Sequence, residues 1–199
     1  MQCYMRALLL FSIITYSLSC TTSVNKNIND FKTLTTDTTD LEFGKYRGSM
    51  LNLQQIQKGV DSFELRIWNF GSPNELVILR CLDNKWITCN YSYQIDGRNI
   101  VDSQTVLCQQ INPQDAVNIV NYLIQDSVLK IPSQNVIPNF KDTSIYEGGC
   151  TYFLEIATKD FYKNLLYNNP HVHADPYNKQ FIRLIKFLEI HFKLHPRFE

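Results

Sequence analysis

Apolar and polar residues alternate along the middle of the chain with a period of two. Phe63, Leu65 and Ile67 alternate with Glu64, Arg66 and Trp68, which predicts a strand. Leu76 to Leu82 is a compact apolar run that also reads as a strand, and Asp83-Asn84 marks a turn. The clearest pattern follows. Ile87, Cys89, Tyr91, Tyr93 and Ile95 alternate with Trp86, Thr88, Asn90, Ser92 and Gln94, as in a long half-buried strand. Asp96-Gly97 is a turn signal, and Ile100 to Ile111 returns as a further strand. Together these make an antiparallel meander.

The period then changes. Asn112 stands as an N-cap, Pro113 suits the first helical position, and Asp115 sits where a capping-box acid belongs. Ala116, Val117, Val120, Leu123 and Ile124 share one face at helical spacing. Pro132 and Pro138 punctuate a loop. Thr151 to Thr158 is β-prone, and Phe161 to Tyr167 reads as another strand. A last helix is capped by Asp175 and begun by Pro176. Tyr177, Phe181, Leu184, Ile185, Leu188 and Phe192 form its apolar face, and Arg183, Lys186, Glu189 and Lys193 its polar one, with a Glu189–Lys193 pair. Ile182 and Ile190 fall on or near the polar side. A block of strands with two separate helices predicts an α+β fold, an antiparallel meander sheet with two amphipathic helices packed on one face.

The chain has 199 residues, 44% hydrophobic and 13% aromatic, which is globular composition in one domain. Arg6 is the only charge before Cys20, so the rest holds 18 basic and 19 acidic side chains. That balance offers neither the basic stripe of a nucleic-acid binder nor the cluster that seeks acidic lipid. It also gives little electrostatic protection against self-association.

The first twenty residues, MQCYMRALLLFSIITYSLSC, set Arg6 before an apolar stretch from Ala7 to Leu18 and end in Ser19-Cys20. This is a short positive region and an apolar core of export-signal length, shorter than the about 20 residues a membrane span needs. The arrangement resembles the lipobox of bacterial lipoproteins, and the ending Ser-Leu-Ser-Cys resembles those of Bacteroidota. Ser17 stands three places before Cys20, where the usual pattern has Leu. The resemblance implies a signal peptide over 1–19, acyl lipid (palmitate) on Cys20, and a tether to Glu42 before a single domain over 43–199. Thr21 to Glu42 is rich in Thr, Asn and Asp, a flexible tether of roughly 25 Å reach. Neither an acidic run nor Asp directly follows Cys20, which points to the periplasmic side of the outer membrane. The expected partner is therefore the membrane, through the lipid anchor. Nucleic acid is not expected, and a protein or glycan partner is left open.

For chemistry, Cys81, Cys89, Cys108 and Cys150 allow three disulfide connectivities between which sequence does not choose. No CxxC, GxSxG, HExxH, P-loop or GxGxxG motif is present. His171, His173 and Asp175 alternate and form the one metal-like constellation, but Asp175 has a better use as a cap, so no metal and no cofactor is expected. Glu155 lies in the Tyr152–Ala157 strand, where it reads as a side chain on a wet face or as a general acid or base lining a pocket. Cys150 with a distant His is a conceivable nucleophile pair. Trp68 and Trp86 fall on the polar sides of their strands, which makes them a candidate polar–aromatic platform for glycan or peptide, with packing under a helix as the competing role. The expectation is a non-enzymatic binding or interaction module of the cell envelope. The alternative is an envelope hydrolase using His171, His173 and Asp175 or Glu155.

Overall fold

The computed structural model describes residues 40–71, 73–125, 128–138, 140 and 149–192. The expected leader, Cys20, the expected tether as far as Thr39, and Lys193 lie outside them. Helix α1 (Leu41–Met50) is followed by strands β1 (Phe63–Phe70), β2 (Asn74–Leu82), β3 (Lys85–Ile95) and β4 (Val101–Gln110). Helix α2 (Pro113–Gln125), short 3₁₀ turns, β5 (Thr151–Thr158), β6 (Tyr162–Asn168) and α3 (Pro176–Phe192) complete the order. Among the described residues no helix is long and apolar enough to cross a membrane.

The strands form one antiparallel sheet in the order β4-β3-β2-β1-β5-β6. This is the α+β meander that the alternation predicts. The β2–β3 hairpin turns at Asp83 and Asn84, both with positive φ, as a two-residue turn matched to strand twist requires. After β4 the chain crosses over and re-enters beside β1, so β1 rather than β4 is central.

The N-caps Asn112 and Asp175 act as their sequence implies. Asn112 Oδ1 accepts the N–H of Gln114 at 2.8 Å. Asp175 Oδ1 accepts those of Tyr177 at 2.9 Å and Asn178 at 3.0 Å. Both helices lie on the face that carries Phe63, Leu65, Ile67, Val77, Leu79 and Trp86, and there the main core forms. The faces of α3 need two corrections. Glu189, expected on the polar face, is buried and accepts from the Tyr152 hydroxyl at 3.4 Å. Tyr177, expected on the apolar face, is exposed. Ile190 is 77% exposed.

The opposite face is covered as well, by α1, which takes in Leu41 and Glu42 from the end of the expected tether. Helix α1 shows no apolar stripe because it buries glycines: Gly44 and Gly48, one turn apart, face the sheet. Phe43 adds edge-on ring contacts with Phe70 and Phe153, at 5.5 and 5.0 Å between centroids. Arg47 lies over the Phe70 ring at 4.7 Å.

The two glycines make different demands. A Cβ on Gly44 would fall 2.6 Å from Glu155 Oε1 and 3.0 Å from Phe153 Cε1, whereas one on Gly48 would meet Arg66 Nη1 at an ordinary 3.5 Å. Gly44→Ala is therefore expected to lift the helix and destabilise the fold by about 1–3 kcal/mol. Gly48→Ala is expected to be neutral or to stabilise by up to about 1 kcal/mol through helix propensity. Urea unfolding of the two variants checks this, and equal effects would refute the close approach at Gly44.

Candidate functional site

Sequence reasoning singles out Trp68 and Trp86 as a platform, and the structure corrects this. Trp68 is 0% and Trp86 2% exposed, and they lie on opposite faces of the sheet. Register is the reason. Phe63 pairs with Cys81 and Cys81 with Trp86, so Trp86 shares the face of the Phe63 series. Trp68 pairs with Leu76 and Leu76 with Tyr91, which places it under α1. The polar side of β1 and the polar side of β3 are thus different sides of the sheet. Trp86 packs on Phe63 at 5.6 Å between centroids, and Trp68 stacks on Phe70 at 6.2 Å.

Beneath α1 lies a buried polar cluster. Glu155, 0% exposed, is opposite Arg66 on β1 and Asn164 on β6. The Trp68 indole N–H donates to Oε2 at 2.9 Å. The Tyr162 hydroxyl at 2.9 Å and the Gln57 amide at 3.0 Å donate to Oε1. Arg66 Nε pairs with Glu64 Oε1 at 2.7 Å, and Arg66 Nη2 donates to the Gln54 carbonyl at 2.6 Å. Glu155 is thus on neither a wet face nor the wall of an open pocket. Helix α1 and the segment from Leu51 to Ser62 lie over it. Burial raises its pKa, against the opposing pull of Arg66 and the three donors. Burial likewise pushes the Tyr162 hydroxyl far above its ordinary value and that of Tyr93 up to about 12. Chemically the cluster is a clamp: it joins β1, β5 and β6 to the segment that follows α1.

His171, His173 and Asp175 do not converge. Asp175 is spent as the α3 cap, and the His173 ring sits edge-on against Phe140 at 4.8 Å. Among the described residues no group of three His, Cys, Asp or Glu is placed to hold a metal ion. His171 instead approaches Cys150, with Nδ1 3.8 Å from Sγ. Asn169, in the left-handed region, exchanges bonds with the Cys150 backbone: its Oδ1 accepts from Cys150 N and its N–H donates to Cys150 O, both at 2.8 Å. Of the cysteines, Cys89 and Cys108 form a disulfide directly across the β3–β4 ladder. Cys81 is at the Phe63 end of β1, whereas Cys150 precedes the strand whose start pairs with Phe70, at the other end. The length of β1 therefore keeps these two thiols apart.

The accessible feature that sequence reasoning missed is the contrast between the two sheet edges. At the Leu166–Asn168 end of β6, side chains occupy outward backbone groups. Ser133 Oγ accepts the N–H of Leu166 at 3.1 Å, and the Gln134 amide accepts from Asn168 N at 2.8 Å and donates to Asn168 O at 3.0 Å. Gln134 thereby imitates one residue of a neighbouring strand. On β4 no described strand pairs with the outer side, and Asp102 to Gln110 are all exposed, Leu107 at 66%. Beside this edge a cavity of about 470 Å³ opens between the sheet and the helices. Thr88 and Asn90 of β3, Leu107 of β4, Ile111, Asp115 of α2 and His191 of α3 line it.

A raised folded pKa means that native Glu155 holds its proton at pH values where the unfolded chain has released it. The stability from Glu155 is then complete at low pH and is lost as pH rises through its folded pKa. The stability difference between wild type and Glu155→Gln is expected to shift against wild type as pH rises above the ordinary glutamate range. Denaturant titrations across that range test this, and a pH-independent difference would contradict it. No family model, curated protein or solved structure matches the chain.

Proposed function

We propose that this chain is a lipid-anchored protein of the bacterial cell envelope, held at the outer membrane on the periplasmic side through Cys20. Its folded part is a non-enzymatic interaction module whose contact surface is the β4 edge with the adjoining groove. The observation that carries the contact surface is the unequal treatment of the edges. A bare strand edge is an aggregation hazard that proteins ordinarily blunt with charge, proline or a cover. Ser133 and Gln134 cover β6, yet β4 carries Val106 and Leu107 outward, with Asp102 its one charged residue and no proline. An exposed edge flanked by a groove suits recognition by strand addition.

The anchor rests on the order of Arg6, the apolar core, Ser19-Cys20 and the polar tether. A disulfide between Cys89 and Cys108 accords with export to an oxidising compartment. Closing a loop of 19 residues contributes about 3 kcal/mol and fastens the edge strand to its neighbour. Diacyl modification would supply two or more chains, each methylene contributing about 0.8 kcal/mol, where one chain holds only reversibly.

Cys20→Ser is expected to abolish both acyl labelling and sedimentation with membranes. A wild-type product that stays soluble and unlabelled would refute the anchor. For the surface, Leu107→Glu is expected to leave folding stability within about 0.5 kcal/mol of wild type. A loss of several kcal/mol in thermal unfolding would make Leu107 a packing residue and remove the surface.

A further inference from the structure

We infer that the occupant of the β4 edge is β4 of a second copy of this chain, paired antiparallel about a two-fold axis at Val106. The inference rests on the reading of that edge as the contact surface, and it begins from which backbone groups face outward. The Ile111 N–H donates to the Trp86 carbonyl at 3.0 Å. Hydrogen-bonded positions alternate in an antiparallel ladder, so Gln109, Leu107 and Thr105 also bond to β3. Cys108 has a Cα only 4.1 Å from that of Cys89, the short spacing of a pair that exchanges no ladder bonds. The N–H and C=O groups of Gln104, Val106, Cys108 and Gln110 therefore point away from the sheet.

Self-pairing has to respect the two faces. Directly opposed residues in an antiparallel pair share a face, and a two-fold axis normal to the sheet keeps each face on its own side. The axis must then pass beside a residue that opposes itself. Val106 is the outward-facing position nearest the middle of Val101–Gln110. With the axis there, Gln104 opposes Cys108 of the second copy, Leu107 opposes Thr105, and Asp102 comes near Gln110 rather than another Asp102. Two exposed apolar side chains, Val106 and Leu107, sit at the centre. The pairing supplies about six to ten backbone hydrogen bonds, within the range of a typical specific interface.

Charge favours this occupant. The strand has a single acidic group, near its start, and opposing two copies brings no like charges together. The chain from Cys20 on, with 18 basic and 19 acidic residues, adds little long-range repulsion between copies. The Cys89–Cys108 bond holds β4 in register with β3, so the template is already ordered before the copies meet.

The test is sedimentation velocity of the full chain in detergent over a dilution series, with hydrogen exchange at Gln104, Val106, Cys108 and Gln110. Val106→Pro removes an outward N–H and leaves the β3–β4 ladder intact, since proline is tolerated at such an edge position. Val106→Lys places a charge against its own image. The wild type is expected to dimerise, with those four amides protected in proportion to dimer. Both variants are expected to associate at least about tenfold more weakly with thermal midpoints unchanged at dilutions where wild type and variants are all monomeric, and Val106→Lys decides if the proline variant does not fold. Dimers that persist in the variants would overturn the pairing. A monomeric wild type with fast exchange at the four amides would overturn self-association and leave the edge open to another partner. A monomeric wild type with the same amides protected would show the edge already covered by its own chain, and the contact-surface reading would fall with it.

Discussion

Burying a carboxyl group on β5, between the sheet and a covering helix, constrains everything near it. Glu155 faces away from the main helices, and an ionisable group there is tolerable only with its lone pairs occupied. Trp68, Tyr162 and Gln57 supply the protons from β1, β6 and the segment after α1. Gly44 lets the backbone of α1 close over the group. Removing any one of the three donors leaves a buried acceptor unsatisfied, which costs about 1–3 kcal/mol and more for a charged group. The second face is thus fastened by polar contacts. The first, where α2 and α3 lie, is held by apolar packing of Phe63, Leu65, Leu79, Leu165, Leu184 and their neighbours.

Covering both faces leaves the edges as the places where backbone polarity meets solvent. At β6 that polarity is absorbed by Ser133 and Gln134, themselves buried. At β4 no described strand takes it up, in a strand fixed to the sheet by a disulfide and lying beside a groove.

The legibility of the site follows from how each residue makes its contacts. Asn112 and Asp175 were readable because a cap acts on N–H groups two or three residues away. Gln134 was not, because its partner is Asn168, 34 positions on, and in sequence it resembles any polar loop residue. Helix α1 was silent because glycine faces carry no hydrophobic period. With α1 unseen, Glu64, Arg66 and Trp68 looked like a solvated side, and Glu155 looked wet.

By itself the sequence determined the strands, the two helices that carry apolar stripes, the caps Asn112 and Asp175 and the antiparallel α+β class, because period and capping chemistry are local properties of a few neighbouring side chains. The tertiary structure decided what pairing decides: that β5 enters beside β1, that Trp68 and Trp86 face opposite ways, that Cys89 takes Cys108, and that among the described residues side chains bond to the β6 edge and no strand pairs with the outer side of β4. Strand register and strand order are set by hydrogen bonds between distant segments, and a one-residue change in register moves a side chain to the other face, so no local pattern could have fixed them.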